Sequence, residues 1–427
     1  MDDFSYQSGR LFAEQIDVEQ LAREYGTPLF VYSQNTLVSH YRKLAAAFAP
    51  LNPLICYAVK ASSNIHLCKV LADEGSGFDV VSGGELFRVL KAGGDPSRVV
   101  FAGVGKTERE IEEALRAGIS EFNCESVSEL SMIAKIASRM MTTARVALRV
   151  NPDVDAKTHA YTTTGTKENK FGVPIQLAKD VFDQFRDADG LAMTGIHLHI
   201  GSPVNDITAY ERSLERGLDL IATLRASGHK IDTIDIGGGF GAHYRGDEAP
   251  AAADYAKAIV PMLKDKGLRV VLEPGRSLVA NAGILLTRVV HIKPAETKRF
   301  VVVDASMNEL IRPALYGAYH FAWPTKAGKN VPPHRGPEQP FDDLIKSDIV
   351  GPVCESSDFL AKDRMLPPLD AGDLIAVYSA GAYAMSMANQ YNARPRPAEV
   401  LVNGTETRLI RRRETYDDLI AAEVDVA

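Results

Sequence analysis

Lys60 closes the apolar run Leu54-Ile55-Cys56-Tyr57-Ala58-Val59, which is bounded by Pro53 and by Ser62-Ser63-Asn64. The run has the length and composition of a strand. An ammonium at the end of a buried strand loses hydration, which lowers its pKa towards that of a nucleophilic amine. A packed stem with a wetted head gives the same pattern without chemistry, so Lys60 alone decides nothing. Other polar and glycine residues follow later apolar runs. They are Asp79 and Ser82, Gly103-Val104-Gly105-Lys106, Glu125-Ser126, Arg149 and Asn151, His199-Ile200-Gly201-Ser202, Gly237-Gly238-Gly239-Phe240-Gly241, and Glu273-Pro274-Gly275-Arg276.

The glycine run has amides that could cradle a phosphate with no side chain in the way. A tight turn explains it equally well. It fails the dinucleotide fingerprint, because Ala242 stands where the last glycine belongs. Gly105-Lys106-Thr107 resembles the end of a nucleotide-binding P-loop, but Val100 occupies the place of its first glycine. His197 and His199 alternate and are expected to share one face of a strand, which could begin a metal site. Asp79 and Glu273 are the nearby carboxylates and no third histidine ends a run, so no metal is expected.

A lysine, a phosphate cradle, the flat ring of His199 and the carboxylate Glu273 have one economical common explanation. Pyridoxal 5'-phosphate requires an amine for its aldehyde, amides for its phosphate and an acid for its ring nitrogen. With that nitrogen protonated, the ring withdraws electrons from a substrate Cα, as a decarboxylation requires.

The positions of these residues follow from the pattern around them. The runs at Leu54–Lys60, Phe78–Ser82, Val99–Ala102, Glu121–Cys124, Arg145–Val150, Gly195–Ile200, Ile231–Ile236 and Arg269–Glu273 alternate with amphipathic stretches. Eight such repeats predict a parallel (β/α)8 barrel of the TIM type, with an open doubly wound sheet as the alternative. The C-terminal ends of the barrel strands would form one rim. After Gly275 short strands separated by Pro- and Gly-rich loops predict a second, mostly β domain of sandwich or barrel-like form, to which Pro28–Tyr32 could add a strand. The expected division is 37–280 for the barrel and 1–36 plus 281–427 for the β domain.

The 427 residues carry a formal net charge of -7 and no long basic run, which argues against nucleic acid as a partner. Met1-Asp2-Asp3 lacks the start of a secretory signal, and no stretch has the length of a membrane span. Cys56, Cys68, Cys124 and Cys354 are far apart, as in reduced thiols. A cytoplasmic protein with no membrane partner is expected.

Taken together, the motifs resemble those of diaminopimelate decarboxylases, in the group of barrel-plus-β-domain pyridoxal-phosphate enzymes that includes ornithine and arginine decarboxylases. The resemblance runs from about Thr27 to the C-terminal strands. It rests on Tyr57-Ala58-Val59-Lys60-Ala61, His199-Ile200-Gly201-Ser202, Gly237–Gly241, Glu273-Pro274-Gly275-Arg276 and Ile311-Arg312-Pro313-Ala314-Leu315-Tyr316. It extends through Gly351-Pro352-Val353-Cys354-Glu355-Ser356-Ser357-Asp358 and from Tyr383 to Tyr391-Asn392.

The resemblance implies that Lys60 makes the covalent link to the cofactor, that His199 lies against its ring and that Glu273 meets its ring nitrogen. Ser202, Gly237, Gly238, Gly239 and Tyr383 would surround the phosphate, beside Pro274, Gly275 and Arg276. Cys354 would return a proton to Cα; a buried, inert cysteine is the plain alternative. Diaminopimelate has an ammonium and a carboxylate at both ends, so its site needs cations and an anion beyond the reacting centre. Arg276, Arg312, Tyr316, Tyr383 and Glu355 are the expected contacts. A surface pair at helical spacing would account equally for Arg312 and Tyr316.

The resemblance also implies a homodimer with active sites at the interface, Cys354 and Glu355 coming from the partner subunit. The expected reaction converts meso-2,6-diaminopimelate to L-lysine and CO2. The alternative is a relative acting on ornithine, arginine or a carboxylated polyamine. A racemase is disfavoured by the electron sink that Glu273 creates, and a non-catalytic binding protein by the presence of Lys60, Glu273 and Cys354 together. Two departures stand out: Asn169 replaces a small hydroxyl residue, and Thr325–Gln339 is a Pro- and Lys-rich insertion of open role.

Overall fold

Eight short, largely apolar strands alternate along the chain with helices, several of which are capped by side chains at their starts. A computed structural model describes residues 2–154, 170–246 and 249–424; Asn169 lies outside the described residues. The strands are Leu54–Ala58, Gly77–Val80, Val99–Phe101, Glu121–Cys124, Ala144–Asn151, Leu191–His197, Thr233–Asp235 and Arg269–Leu272. All neighbours pair in parallel, and Leu54 opposite Val271 closes the circle. The arrangement is a closed (β/α)8 barrel. Its interior is filled by side chains such as Leu54, Cys56, Val100 and Val271, so it is a packed core.

Helix starts lie at the strands' C-terminal rim. Asn64 accepts from the amide of His66, Ser82 from that of Glu85 and Asp206 from that of Thr208. Thr107 and Glu110 form a reciprocal capping box. Each cap satisfies amides that a helix terminus otherwise leaves bare. Lys106 belongs to this scaffold. Its buried ammonium meets Glu129 at 2.6 Å and the carbonyls of Gly103 and Asn123 at 2.8 Å. That accounts for the Gly-Lys-Thr sequence without a nucleotide.

Residues 1–39, 242–248 and 278–427 form the other unit, and 40–241 with 249–277 form the barrel. The β unit is organised on the twelve-residue strand Gly283–Pro294. That strand pairs antiparallel with Leu29–Ser33, Arg299–Val303 and Leu374–Val377. Leu29–Ser33 also pairs in parallel with Ala398–Asn403, which places the N-terminal strand inside the sheet. Phe4–Gln7, Arg10–Ala13 and Ile16–Asp17 make a separate three-stranded sheet.

The Thr325–Gln339 insertion clamps the N-terminus. Arg335 forms an ion pair with Asp2 and stacks on Tyr378 at 4.1 Å, while the Trp323 indole donates to the carbonyl of Asn330. Among the described residues, no helix is long and apolar enough to cross a membrane.

Candidate active site

Lys60 lies just outside the barrel wall. The strand stops at Ala58, whose last partner is Asp79, and Val59–Ala61 wind into one 3₁₀ turn. Lys60 is therefore not the strand's final residue, as the apolar run suggested, but the middle of the turn that follows it. Gly275 packs beneath this turn: a Cβ there would stand 3.0 Å from the Ala58 Cβ and 3.1 Å from the Ala61 Cβ. The Lys60 ammonium pairs with the carboxylate of Asp79. The lysine side chain is 37% exposed and the aspartate wholly buried. Burial and Glu273 raise the Asp79 pKa, and Lys60 opposes them. The amine is thus accessible and held in place by a buried anion.

The expectation that His197 and His199 share a strand face also needs correction. The strand ends at His197, where its pairing to Asp235 and Arg149 ends. The two rings are tilted by 42°, with centroids 6.4 Å apart. His199 Nδ1 accepts a hydrogen bond from the amide of Gly238 at 3.3 Å, so the ring is neutral with its proton on Nε2. Crowding by protein and the Arg149 cation keep its pKa well below the ordinary value. A neutral, half-buried imidazole is suited to lie against an aromatic ring.

The glycine run is demanded by close packing. Added Cβ atoms at Gly237, Gly238 and Gly239 would come within 2.6, 2.2 and 2.5 Å of the carbonyls of Leu198, Glu273 and Gly201. The Gly237 amide is committed to Asp235 at 2.8 Å and the Gly241 amide to the Tyr255 hydroxyl at 3.2 Å. Among the described residues the amides of Gly239 and Phe240 donate no hydrogen bond. Those two, rather than the first glycine, are the donors left for an anion. Beside them Arg276 Nε donates to the Ser202 hydroxyl at 3.2 Å.

Glu273 follows the last barrel strand and is buried. Burial would raise its pKa, but His197 and then Lys60 outweigh that cost and hold it well below the usual carboxylate range. An ionised carboxylate on the barrel rim can keep a pyridine nitrogen protonated. The donor set therefore fits pyridoxal phosphate: an accessible amine, two unused amides, a neutral imidazole and a buried anion. His197, Asp235 and Glu273 also place ligand-capable atoms within 4.8 Å of one another. Asp235 was not foreseen as a member of such a group. The Asn123 amide nitrogen donates to both carboxylates, at 2.9 and 3.0 Å, and so holds them without an ion. Decarboxylase turnover measured before and after exhaustive chelation should therefore be unchanged; a loss restored by a divalent metal would reverse this assignment.

The β unit carries the remaining expected residues. Arg312 and Tyr316 begin and end the short helix Arg312–Tyr316, as their spacing implied. Arg312 is buried and not a surface residue. His320 Nδ1 faces the Tyr378 carbonyl at 2.9 Å and must carry the proton, so its Nε2 accepts from Arg312 at 2.7 Å. Tyr244 lies under the guanidinium at 4.5 Å. Cys354 is exposed, whereas Cys56, Cys68 and Cys124 are buried. Its loop is fixed by Asn392, which accepts from the Cys354 amide at 2.9 Å, and by Asp358, which accepts from the amides of Val353 and Met307 at 2.7 Å. Glu355 is exposed and accepts from the Ser357 hydroxyl at 2.6 Å. Tyr383 is half-buried, in the left-handed region at φ 54°.

Residues 34–280 match the family model described as the pyridoxal binding domain of pyridoxal-dependent decarboxylases. The diaminopimelate decarboxylase of Neisseria meningitidis serogroup A is 49% identical over 414 residues, covering 97% of this chain and 99% of that protein. The chain belongs to the diaminopimelate decarboxylase family. The Pseudomonas aeruginosa member is 48% identical, covering 99% of both chains. The crystal structure of the Helicobacter pylori diaminopimelate decarboxylase complexed with L-lysine is 40% identical. It has a TM-score of 0.88 and covers 95% of this chain and 99% of that one. That of M. jannaschii in co-complex with L-lysine is 37% identical, with a TM-score of 0.91 and coverage of 99% and 98%. Membership of this family makes the chain a pyridoxal-phosphate-dependent carboxy-lyase, and its barrel rim supplies the donors the cofactor requires.

Proposed function

We propose that the protein decarboxylates meso-2,6-diaminopimelate to L-lysine and CO2. The observation that carries this reading is that the likeness to diaminopimelate decarboxylases spans both units, with 97% of the chain matched at 49% identity. The β unit, to which this reading assigns most substrate contacts, is thus matched along with the barrel. Bound pyridoxal phosphate supplies an electron sink to the substrate Cα. The protein's part is to anchor that group through Lys60, to keep its ring nitrogen protonated through Glu273 and to hold its face with His199. Ser202, Arg276, the amides beside Gly239, and Tyr383 would hold the phosphate.

Arg312 is the residue best suited to a distal carboxylate. His320 fixes the edge of its guanidinium and Tyr244 the face, so little freedom remains to be lost on binding. Arg312→Lys keeps the charge but removes the planar fork. We expect a KM for meso-diaminopimelate roughly ten- to a hundredfold higher, the scale of one impaired buried charge contact, with cofactor affinity unchanged. An unaltered KM in steady-state assays would remove Arg312 from the substrate site.

The reading includes a cytoplasmic homodimer that shares its active sites. Cys354 and Glu355 stand exposed on a loop held firmly by Asn392 and Asp358, a shape suited to insertion into a second molecule. Val81 and Val104, which follow barrel strands, and Phe87 and Leu90, on the helix Gly83–Lys91, are exposed apolar residues that a second subunit would cover. The direct test of function is lysine formation from meso-diaminopimelate by the purified protein, with ornithine and arginine as competing substrates.

A further inference from the structure

The mechanism above leaves unused a buried polar cluster beneath the rim. His197, Asn123 and Asp235 end or lie in three barrel strands, and all three are buried. His197 Nε2 lies 3.4 Å from Glu273 Oε2. Among the described residues neither ring nitrogen makes a hydrogen bond of good geometry. A neutral imidazole left so would bear the cost of two unsatisfied buried atoms, whereas a cation gains from the adjacent carboxylate. Asn123 has two amide protons and gives one to Asp235 and one to Glu273. Asp235 in turn accepts from the Gly237 amide, and the Glu273 amide donates to the Gly237 carbonyl at 2.9 Å. The acid meant for the ring nitrogen and the start of the glycine run are thereby tied into one network.

We propose that His197 and Asn123 are positioning residues for Glu273, the imidazolium as its resident counter-ion and the carboxamide as its tether to Asp235 and the glycine run. This rests on the assignment of Glu273 to the cofactor ring nitrogen. The charged and titratable groups around His197 are Glu273, Asp235, Asp79, Glu121, Arg149 and His199. Burial and Arg149 oppose its protonation and the adjacent Glu273 carboxylate overcomes them, so its pKa is raised. Burial and Glu273 push Asp235 well above the usual carboxylate range. Glu273, whose carboxylate faces the His197 ring at 3.4 Å, is the acid placed to carry the negative charge. The protein thus holds its ring-nitrogen acid ionised before any cofactor arrives.

Two measurements test this. In the cofactor-free wild type at pH 7, nitrogen NMR of the imidazoles should show His197 protonated on both nitrogens, and in Glu273→Gln it should become neutral. A neutral His197 in the wild type overturns the proposal. Titration of cofactor-free variants with pyridoxal phosphate supplies the second arm. His197→Gln should raise the dissociation constant roughly tenfold, the scale of coupling between contacting groups, and lower the absorbance of the ring-protonated form. In a Glu273→Gln background the same substitution should change the constant less than twofold. An equal loss in both backgrounds would show that His197 acts independently of Glu273 and overturn its role. The NMR arm needs no cofactor, so a wild type unable to bind pyridoxal phosphate would instead sink the cofactor assignment.

Discussion

Lys60→Ala should abolish the visible absorbance of covalently bound cofactor and lower turnover by roughly three orders of magnitude or more, at least the scale of a lost acid–base group. The variant should still fold. Asp79 is wholly buried, and an uncompensated charge there would be costly, but a carboxyl group whose pKa is already raised can take a proton instead. Lys60 is more than one-third exposed, so the ion pair itself contributes little to stability. Absorbance spectra and a thermal melt separate these effects. Retained absorbance would mean that another amine carries the cofactor.

Cys354→Ala should leave cofactor absorbance intact and lower turnover by roughly two to four orders of magnitude, the range for loss of a positioned proton donor. Cys354→Ser should recover little, because a hydroxyl is a far weaker acid than a thiol. Its exposure contradicts the plain reading of a buried, inert cysteine, and the hydrogen bond from its amide to Asn392 fixes where the thiol can reach. If the thiol serves the partner's site, mixing inactive Lys60→Ala and Cys354→Ala subunits should restore about a quarter of wild-type activity. Half the random dimers would then be mixed, each with one intact site. Failure to complement would place Lys60 and Cys354 in sites formed by a single chain.

Local signals made much of this molecule legible. The strand–helix rhythm gave the barrel, because parallel strands require crossovers of that length. The polar residues that follow those strands pointed to Lys60, His199 and Glu273, and the fold brings the three near one another. Less visible were elements whose meaning depends on partners distant in sequence. Asn123 reads as an ordinary strand residue until Glu273, 150 positions later, appears beside it. His320 and Tyr244 carry no motif, yet they fix Arg312.

Strand ends were misplaced where hydrophobicity continued past the ladder. Val59 and Leu198 are buried like strand residues, but their backbones have already turned towards the rim. Glu406–Arg411 follows the two-residue turn Gly404-Thr405, whose glycine takes the left-handed φ of 62° that its first position needs. In Phe359–Leu366 the charged residues at 362–364 break the apolar run, and pairing to Ile345–Val350 holds the strand.

The most direct measurement is product formation by the purified, cofactor-loaded protein given meso-diaminopimelate and ornithine at equal concentration. Release of lysine and CO2, with putrescine formation lower by at least roughly a hundredfold, is the predicted result. That is the discrimination expected when buried charged groups shaped for a distal amino acid are left unpaired. Equal or faster release of putrescine would contradict the account.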